Sequence, residues 1–383
     1  MGIYLDYNAS APIDPDVLMC MIDVYQNYTG NADSRTHDYG ENARNLVEAA
    51  RGHVASLFGV KKDEVLFTSG ATESNNIAIL GLKEYGLKTG RKHIITTSIE
   101  HDAVLGAVEH LASEGFEIEK INPDQDGRVS ADDIVSKVRS DTLLVSVMHV
   151  NNETGVIQPV DQIGKTLAKT DTLFHIDATQ SAGKMVPEIQ NLSYNIMAFS
   201  GHKMHGPQGI GGLILKKKRY RFPPVSSIMF GGPQEHGIRP GTLPTALIVG
   251  LGKACEIAGQ NYAANQTHNS AIKSKLLELL SASGVAYMLN GSSEHCISTT
   301  LNVSFWGVSS EALMLATKQY CGISNGSACT SSNYRHSHVL SAMGLPDERI
   351  ESAVRISWDA DVDAEEFLRG FSQILTAVRD FTA

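Results

Sequence analysis

Long apolar runs are missing from this sequence. The stretch Thr142 to Met148, among the longest, stops far short of the roughly 18 residues needed to cross a bilayer, so a membrane helix is excluded. The N-terminus, Met1-Gly2-Ile3-Tyr4-Leu5-Asp6, has no basic n-region and no apolar h-region; no secretory leader is expected, and the expected compartment is the cytoplasm. Cysteine is scarce: Cys20, Cys255, Cys296, Cys321 and Cys329 are odd in number and show no C-x-x-C spacing. That argues against a disulfide framework and a zinc site, and leaves room for one chemically active thiol. Positive charge is in deficit, 32 basic against 42 acidic residues for a net charge of −10, and the one compact basic run, Lys216 to Arg221, reads as a solvated loop. An acidic chain repels phosphate overall, so direct nucleic-acid binding is not expected. There is no internal repeat and no low-complexity segment. What remains is ordinary globular composition, 42% hydrophobic and 19% charged over 383 residues, a length that favours two domains.

From residue 64 to 215, short β-branched runs alternate with helical periodicity. Glu64 to Thr68, Lys92 to Thr97, Phe116 to Ile121, Thr142 to Met148, Thr172 to Asp177, Asn195 to Phe199 and Gly211 to Leu215 read as strands. Ala71 to Lys88, His101 to Ser113, Ser130 to Val138 and Val160 to Lys169 carry apolar residues at helical spacing. The pattern predicts an α/β fold with a mostly parallel sheet, in which ligands bind beyond the carboxyl ends of the strands. Further on, helices at Thr245 to Tyr262, His268 to Ser283, Ser310 to Tyr320 and Ala364 to Phe381 and strands at Thr299 to Phe305 and Ser352 to Trp358 predict a smaller α+β unit. The expected division is a large domain at 16–262 and a small one from 1–15 and 263–383.

Chemistry-bearing residues fall just after the predicted strands. Ser69-Gly70-Ala71-Thr72-Glu73 opens a helix with small residues and hydroxyls, a plausible phosphate cup; an ordinary helix cap is the alternative, and the absence of Gly-Lys-Ser/Thr rules out a P-loop. Ser200-Gly201-His202-Lys203 presents a lysine on a glycine-containing turn, suited to a Schiff base with pyridoxal phosphate, with Ser200 and His202 near enough to join a phosphate site. A surface lysine is the alternative, against which stands Asp177, an acid at a strand end able to keep a pyridine nitrogen protonated. His101 could stack on a ring or carry protons. Asn152 could donate to a ring hydroxyl or orient a substrate, or it forms a turn.

Several ordered strings, Tyr4-Leu5-Asp6-Tyr7, Phe67 to Asn75, Val150-Asn151-Asn152-Glu153, Asp177-Ala178-Thr179-Gln180, Ser200-Gly201-His202-Lys203 and Arg239-Pro240-Gly241-Thr242, resemble the class I (NifS/IscS-like) PLP-dependent cysteine desulfurases from about residue 3 to residue 378. The resemblance implies an aspartate-aminotransferase-like fold type I and a homodimer. It implies a cofactor lysine at Lys203, a ring-nitrogen partner at Asp177, a stacking His101, oxygen contacts from Asn152 and Gln180, and phosphate ligands Thr72, Ser200 and His202, with Thr242 supplied by the second subunit. Arg355, in Val354-Arg355-Ile356-Ser357, matches the arginine that holds the substrate carboxylate, a task suited to a guanidinium fork. Ser324 to Ser331 resembles the loop of the catalytic cysteine, here Cys329; independently of that, Gly326 with small polar neighbours describes a flexible loop. The other four cysteines are expected to be buried and inert.

The reaction so implied converts L-cysteine to L-alanine and leaves a persulfide on Cys329 for an acceptor protein. Asn8-Ala9-Ser10-Ala11-Pro12, Asn333 to His338 and the lack of a long C-terminal extension look like the DndA/SspA type of bacterial DNA phosphorothioation systems. The alternatives are a sulfur donor for iron–sulfur clusters or tRNA thiolation, a selenocysteine lyase or class V aminotransferase, neither of which needs Cys329, and a non-catalytic scaffold, which needs none of Lys203, Asp177, His101 and Cys329.

Overall fold

The computed structural model describes residues 2–325 and 336–382. In chain order the strands are β1 (Ile3–Tyr4), β2 (Val65–Thr68), β3 (His93–Thr97), β4 (Glu117–Ile121), β5 (Thr142–Met148), β6 (Leu173–Asp177), β7 (Ile196–Ser200), β8 (Gly211–Leu215), β9 (Tyr287–Leu289), β10 (Thr300–Phe305), β11 (Cys321–Gly322) and β12 (Ala353–Ser357). Seven form one sheet in the order β2-β8-β7-β6-β5-β3-β4. Only β8 runs against the rest, pairing antiparallel with both β2 and β7. The central strands are buried along their whole length, as expected for a parallel sheet covered by helices on both faces. Because β2, β3, β5, β6 and β7 point the same way, Ser69, Ser98, His149, Ala178 and Gly201 all emerge on one edge of the sheet.

Two large apolar clusters flank this sheet, one holding Phe58, Phe67, Phe174 and Phe199, the other Leu66, Ile79, Ile94 and Leu144. A third core gathers Trp358, Phe367, Phe371 and Phe305 around the antiparallel β9-β10-β12 sheet. Leu5, Tyr7 and Ala11 belong to that third core, so the N-terminal segment packs against C-terminal residues before the helix Pro15–Asn27 begins.

The nine strands expected from the sequence fall where the periodicity puts them, with ends shifted by one or two residues, while β1, β9 and β11 were not expected. Three expectations need correction. The helices expected at Thr245 to Tyr262 and His268 to Ser283 are one continuous helix, Thr245–Ala282. Its first half contributes Ile248, Leu251 and Cys255 to one core and its second half contributes Ile272, Leu276 and Leu280 to another, so a single helix runs from one core to the other. The helix expected over Ala71 to Lys88 is broken into Ala71–Leu80 and Lys83–Thr89, because the Gly81 carbonyl accepts from Ser226 N instead of continuing the ladder. Helices Pro15–Asn27 and Asp38–Phe58, which pack on the start of the long helix, were not expected. The basic run forms a turn with partners of its own: Lys217 pairs with Asp63, and the Lys216 ammonium lies 4.0 Å from the centre of the Tyr194 ring.

The edge strand β2 is protected by an ion pair. Arg51 donates to the Val65 carbonyl and, through two nitrogens, to both Glu235 oxygens at 2.8 and 2.9 Å, while Glu235 accepts from Phe67 N at 2.7 Å. The pair thus satisfies backbone groups that an exposed edge would leave open to pairing with another chain. Both side chains are nearly buried, and Glu235 is held at φ +45° to make the contact. Arg51→Met should therefore leave a buried carboxylate without a cation and lower the unfolding free energy by about 3–5 kcal/mol, whereas Arg51→Met with Glu235→Met should recover much of that loss. Unfolding curves of the two variants check this; a single-variant loss below about 1 kcal/mol would make the pair incidental to stability.

Candidate active site

The sheet edge opens into a cleft of about 510 Å³ whose walls carry Thr72, His101, Asn152, Asp177, Gln180, Ser200, His202, Lys203 and Arg355. Nine residues singled out from the sequence are therefore together. Thr242 is exposed and is not on these walls. Cys329 lies outside the described residues.

Lys203 sits on a single 3-10 turn, Gly201–Lys203, directly after β7. Its ammonium donates to the carbonyls of Asn8 at 2.5 Å and Ala9 at 2.6 Å. Asn8 is buried and serves as a hub: its carbonyl also accepts from Gln180 Nε2 at 3.0 Å, and its Nδ2 donates to the Asn152 carbonyl and to Thr300 Oγ1. Sequence reasoning noted Asn8 only as part of an unusual string. A polar side chain between two predicted domains gave no signal in either domain's periodicity.

Asp177 ends β6 and accepts three hydrogen bonds, from Asn75 Nδ2 at 2.8 Å and from Thr179 N and Oγ1 at 2.9 and 2.5 Å. Asn75 is a second residue the sequence reading did not single out; it lies one helical turn inside Ala71–Leu80, where a buried amide is otherwise unexplained. The same helix opens on Gly70, whose φ of +152° favours glycine, and Gly211 lacks the side chain that would collide with the Gly70 backbone. No side chain caps this end, so the first N–H groups face the cleft as anion donors, with Ser200 alongside. Glu73 accepts from Ser69 N and is held by Arg239 at 2.8 Å, which ties the Arg239-Pro240-Gly241-Thr242 segment to this loop.

His101 caps its helix, with Nδ1 accepting from Ala103 N at 3.1 Å, so in the neutral ring Nε2 carries the proton. His202 contacts Ser10 Oγ at 3.2 Å, and burial, helped by the adjacent Lys203 charge, pushes its pKa down to about 4. Arg355 is 3% exposed and donates to the Asn152 carbonyl and to Asp6 Oδ1 at 2.6 Å, while its Nε has no partner within the chain. Asp6 is thus a third functional neighbour missed in the sequence, though it stands within one of the quoted strings.

These residues fit pyridoxal phosphate. Gln180 Nε2 is committed to Asn8, leaving the buried Oε1 without a partner among the described residues and able to accept from a ring hydroxyl. Asp177 is an acceptor for a ring N–H, the helix end and Ser200 are donors for a phosphate, and Lys203 is the amine.

Both flanks of 326–335 are anchored at this cleft. On one side Ser324 N donates to the Arg355 carbonyl and Arg355 N donates to the Ser324 carbonyl. On the other Ser337 Oγ donates to Glu153 at 2.5 Å and His338 Nε2 contacts the Glu100 carbonyl at 2.9 Å. Of the remaining cysteines, Cys255 and Cys321 are buried, and burial raises both thiol pKa values, that of Cys321 to about 11. Cys20 and Cys296 are only partly buried, contrary to expectation, because each sits near the end of its apolar surroundings; Lys273 Nζ lies 3.2 Å from Cys296 Sγ.

The chain matches the aminotransferase class-V family over residues 3–369. It is 44% identical over 370 residues to cysteine desulfurase IscS of Tolumonas auensis, covering 96% of this chain and 90% of that protein. Among solved structures, a NifS-like protein superposes with a TM-score of 0.90 at 34% identity, covering 99% of this chain and 100% of that one. DndA from Streptomyces lividans superposes with a TM-score of 0.81 at 42% identity, covering 93% and 99%. The fold is the PLP-dependent, aspartate-aminotransferase-like one expected from the sequence.

Glu100, beside His101, is fully buried and accepts from Thr97 Oγ1 at 2.6 Å and Met148 N at 2.9 Å. Burial, reinforced by the Asp177 charge, pushes its pKa from 4.5 up to about 8. A raised carboxyl pKa means the folded chain keeps a proton that the unfolded chain has lost, so its stabilising contribution is full below pH 4.5 and disappears as pH rises to 8. Glu100→Gln mimics the protonated acid and should remove this dependence. Relative to the variant, the parent should lose up to about 1.4 kcal/mol per pH unit across that window. A parent-to-variant difference that stays flat in unfolding measurements from pH 5 to 8 would show that Glu100 is ionised in the folded protein.

Proposed function

The chain belongs to the class-V aminotransferase family, among its cysteine desulfurases, and we propose that it converts L-cysteine to L-alanine while storing the sulfur on Cys329. The observation that carries this reading is the anchoring of both flanks of 326–335 beside Arg355, Glu100 and Glu153, at the mouth of a cleft built for pyridoxal phosphate. Within it, a large domain at 16–262 supplies the cofactor walls and a small one from 1–15 and 263–383 supplies Arg355 and Cys329.

Pyridoxal phosphate, when bound, supplies an electrophilic carbon for the substrate amine and a conjugated ring that takes up electrons from Cα. Asp177 would hold the ring nitrogen, His101 would stack on the ring, and Asn152 and Gln180 would contact its oxygens. Thr72, Ser200 and His202 hold the phosphate, with Thr242 arriving from the second subunit of a homodimer. Arg355 takes the substrate carboxylate in a planar fork. Lys203 removes the Cα proton, and its contacts with the Asn8 and Ala9 carbonyls keep the amine at the sheet edge. The Cys329 thiolate attacks the substrate sulfur; an S–S bond forms, the C–S bond breaks, and the released electron pair stays with the carbon skeleton, which gains a proton and leaves as alanine. One L-cysteine and one thiol thus give one L-alanine and one persulfide.

The sulfur passes to an acceptor protein in the cytoplasm, and the resemblance to the DndA/SspA type, together with the 42% identity to DndA, supports a place in DNA phosphorothioation. A net charge of −10 favours delivery through that acceptor over direct contact with DNA. Co-purification from the native host should recover a sulfur-acceptor protein of a DNA-modifying complex; recovery of an iron–sulfur scaffold or a tRNA-thiolating enzyme instead would reassign the pathway while leaving the chemistry intact.

Cys329→Ser should retain the cofactor's absorbance but lose alanine release by about a hundredfold or more, with no persulfide on peptide mapping, because a hydroxyl is scarcely ionised near neutral pH. Undiminished turnover, or a persulfide mapped to Cys321 or Cys296, would place the sulfur elsewhere. Arg355→Lys should raise KM for L-cysteine about tenfold or more with a smaller change in kcat, since an ammonium cannot reproduce two parallel bonds to a carboxylate. An unchanged KM would remove Arg355 from the substrate contacts.

A further inference from the structure

A second cleft, of about 240 Å³, lies on the other side of the Lys203 turn from the active site, between the long helix Thr245–Ala282 and the segments 182–184, 204–205, 297–299 and 359–361. Among the described residues it holds two buried polar atoms without a hydrogen bond and a nearly buried ammonium without a contact ion pair. Lys184 is 8% exposed, and among the described residues its ammonium has no hydrogen bond or ion pair. Thr299 Oγ1 is buried without a partner. Asn269 donates through Nδ2 to Asp359 Oδ1 at 3.0 Å, which fixes the amide, and its buried Oδ1 has no partner. Asp359, which accepts from Asn269, from Ala360 N at 2.8 Å and from His205 Nε2 at 3.4 Å, attracts Lys184 through its charge without forming a contact ion pair with it.

Buried polar groups are normally paired, and leaving one unmade costs roughly 1–3 kcal/mol. Two such groups and a nearly buried ammonium converging on one cleft describe a receptor whose bonds are completed by a ligand. The required chemistry follows from the atoms. Lys184 needs an acceptor, best an anion. Asn269 Oδ1 needs a donor, and the carboxylates of Asp359, Asp361 and Asp14 around the same cleft favour a donor that is positively charged. Met204, Ile257 and Ile297 leave an apolar surface beside them.

We propose that this cleft binds a free α-amino acid with an aliphatic side chain, its carboxylate on Lys184 and Thr299, its ammonium on Asn269 and the neighbouring carboxylates. The site is separate from the one that binds the substrate and does not depend on the desulfurase reading. An occupant touches the backbone immediately after Lys203 and that four residues beyond Arg355, so it braces the two segments that carry the reactive amine and the carboxylate clamp.

The test is calorimetric titration of L-valine into holoenzyme whose cofactor has been fixed to Lys203 with borohydride, which blocks covalent chemistry in the active site. One saturable event is expected, unchanged within about threefold in Arg355→Lys and weakened at least about tenfold in Lys184→Met. Sodium acetate and ethylamine, each carrying half of the recognised charge, should bind at least about tenfold more weakly than L-valine. Thr299→Val, which removes an unsatisfied hydroxyl at nearly constant shape, should raise the melting midpoint without ligand and weaken L-valine binding several-fold; it carries the test if Lys184→Met does not fold. No saturation by about 20 mM, acetate binding as tightly as L-valine, or binding lost in Arg355→Lys and kept in Lys184→Met would each overturn the proposal.

Discussion

The site depends above all on one backbone carbonyl. Asn8 O accepts from both Lys203 and Gln180, while the same residue's amide nitrogen reaches Asn152 and Thr300. Those contacts join the ends of β5, β6 and β7 to β10 of the third core, so the N-terminal segment acts as the pin through which the large sheet and the small one are registered. Asn8 N donates to Ser357 Oγ, and Arg355 pairs with Asp6, which extends the same pin to β12. An ammonium held by two carbonyls keeps a fixed direction at the sheet edge. A reactive amine needs that arrangement, because its orientation is set before any ligand arrives.

Charge is distributed accordingly. Glu100 and Asp177 stand close enough to influence each other, and burial settles the conflict by leaving the proton on Glu100. Asp177 differs in having three donors aimed at its oxygens, whereas Glu100 has two and one oxygen with none. Buried imidazoles follow the same logic: His149 and His175 are each pushed down to about 4 by desolvation and stay neutral inside the sheet. The edge therefore presents few net charges despite many titratable groups, and those it does present, Lys203, Arg355, Asp177 and Asp6, all line or border the cleft.

Much of this was legible from the sequence because strand-end positions in a parallel sheet converge whatever the intervening helices do. Thr72, His101, Asn152, Asp177, Ser200 and Lys203 are each within a few residues of a strand recognisable from β-branched runs, and the one-way topology brings them together. Asn8, Asp6 and Asn75 were not legible, since their roles depend on which partner lies opposite, and that is a property of the packed chain. The long helix failed for a related reason. Its apolar face changes partner midway, from the helices Pro15–Asn27 and Asp38–Phe58 to the third core, so its periodicity changes phase and reads as two helices with a gap. The helix Asp38–Phe58 has a weak apolar contrast because alanine and glycine supply much of its buried face.

The cysteines show how far chemistry can choose among residues when spacing is silent. A sulfur nucleophile must be able to ionise and to meet both substrate and acceptor. Cys255 is excluded on the first count by its burial, and Cys321 by burial together with a pKa raised to about 11. Cys20 is on the first helix, away from the sheet edge, and desolvation raises its pKa as well. Cys296 is the instructive case, because Lys273 Nζ lies 3.2 Å from its sulfur. Yet that ammonium also donates to the Ile297 carbonyl at 2.6 Å, the sulfur lies against Thr154 and Gly155, and Cys296 is not on the cleft walls. Cys329 lies outside the described residues, in the segment 326–335, whose flanks are anchored to Arg355 on the cleft wall and to Glu100 and Glu153, the chain neighbours of the wall residues His101 and Asn152.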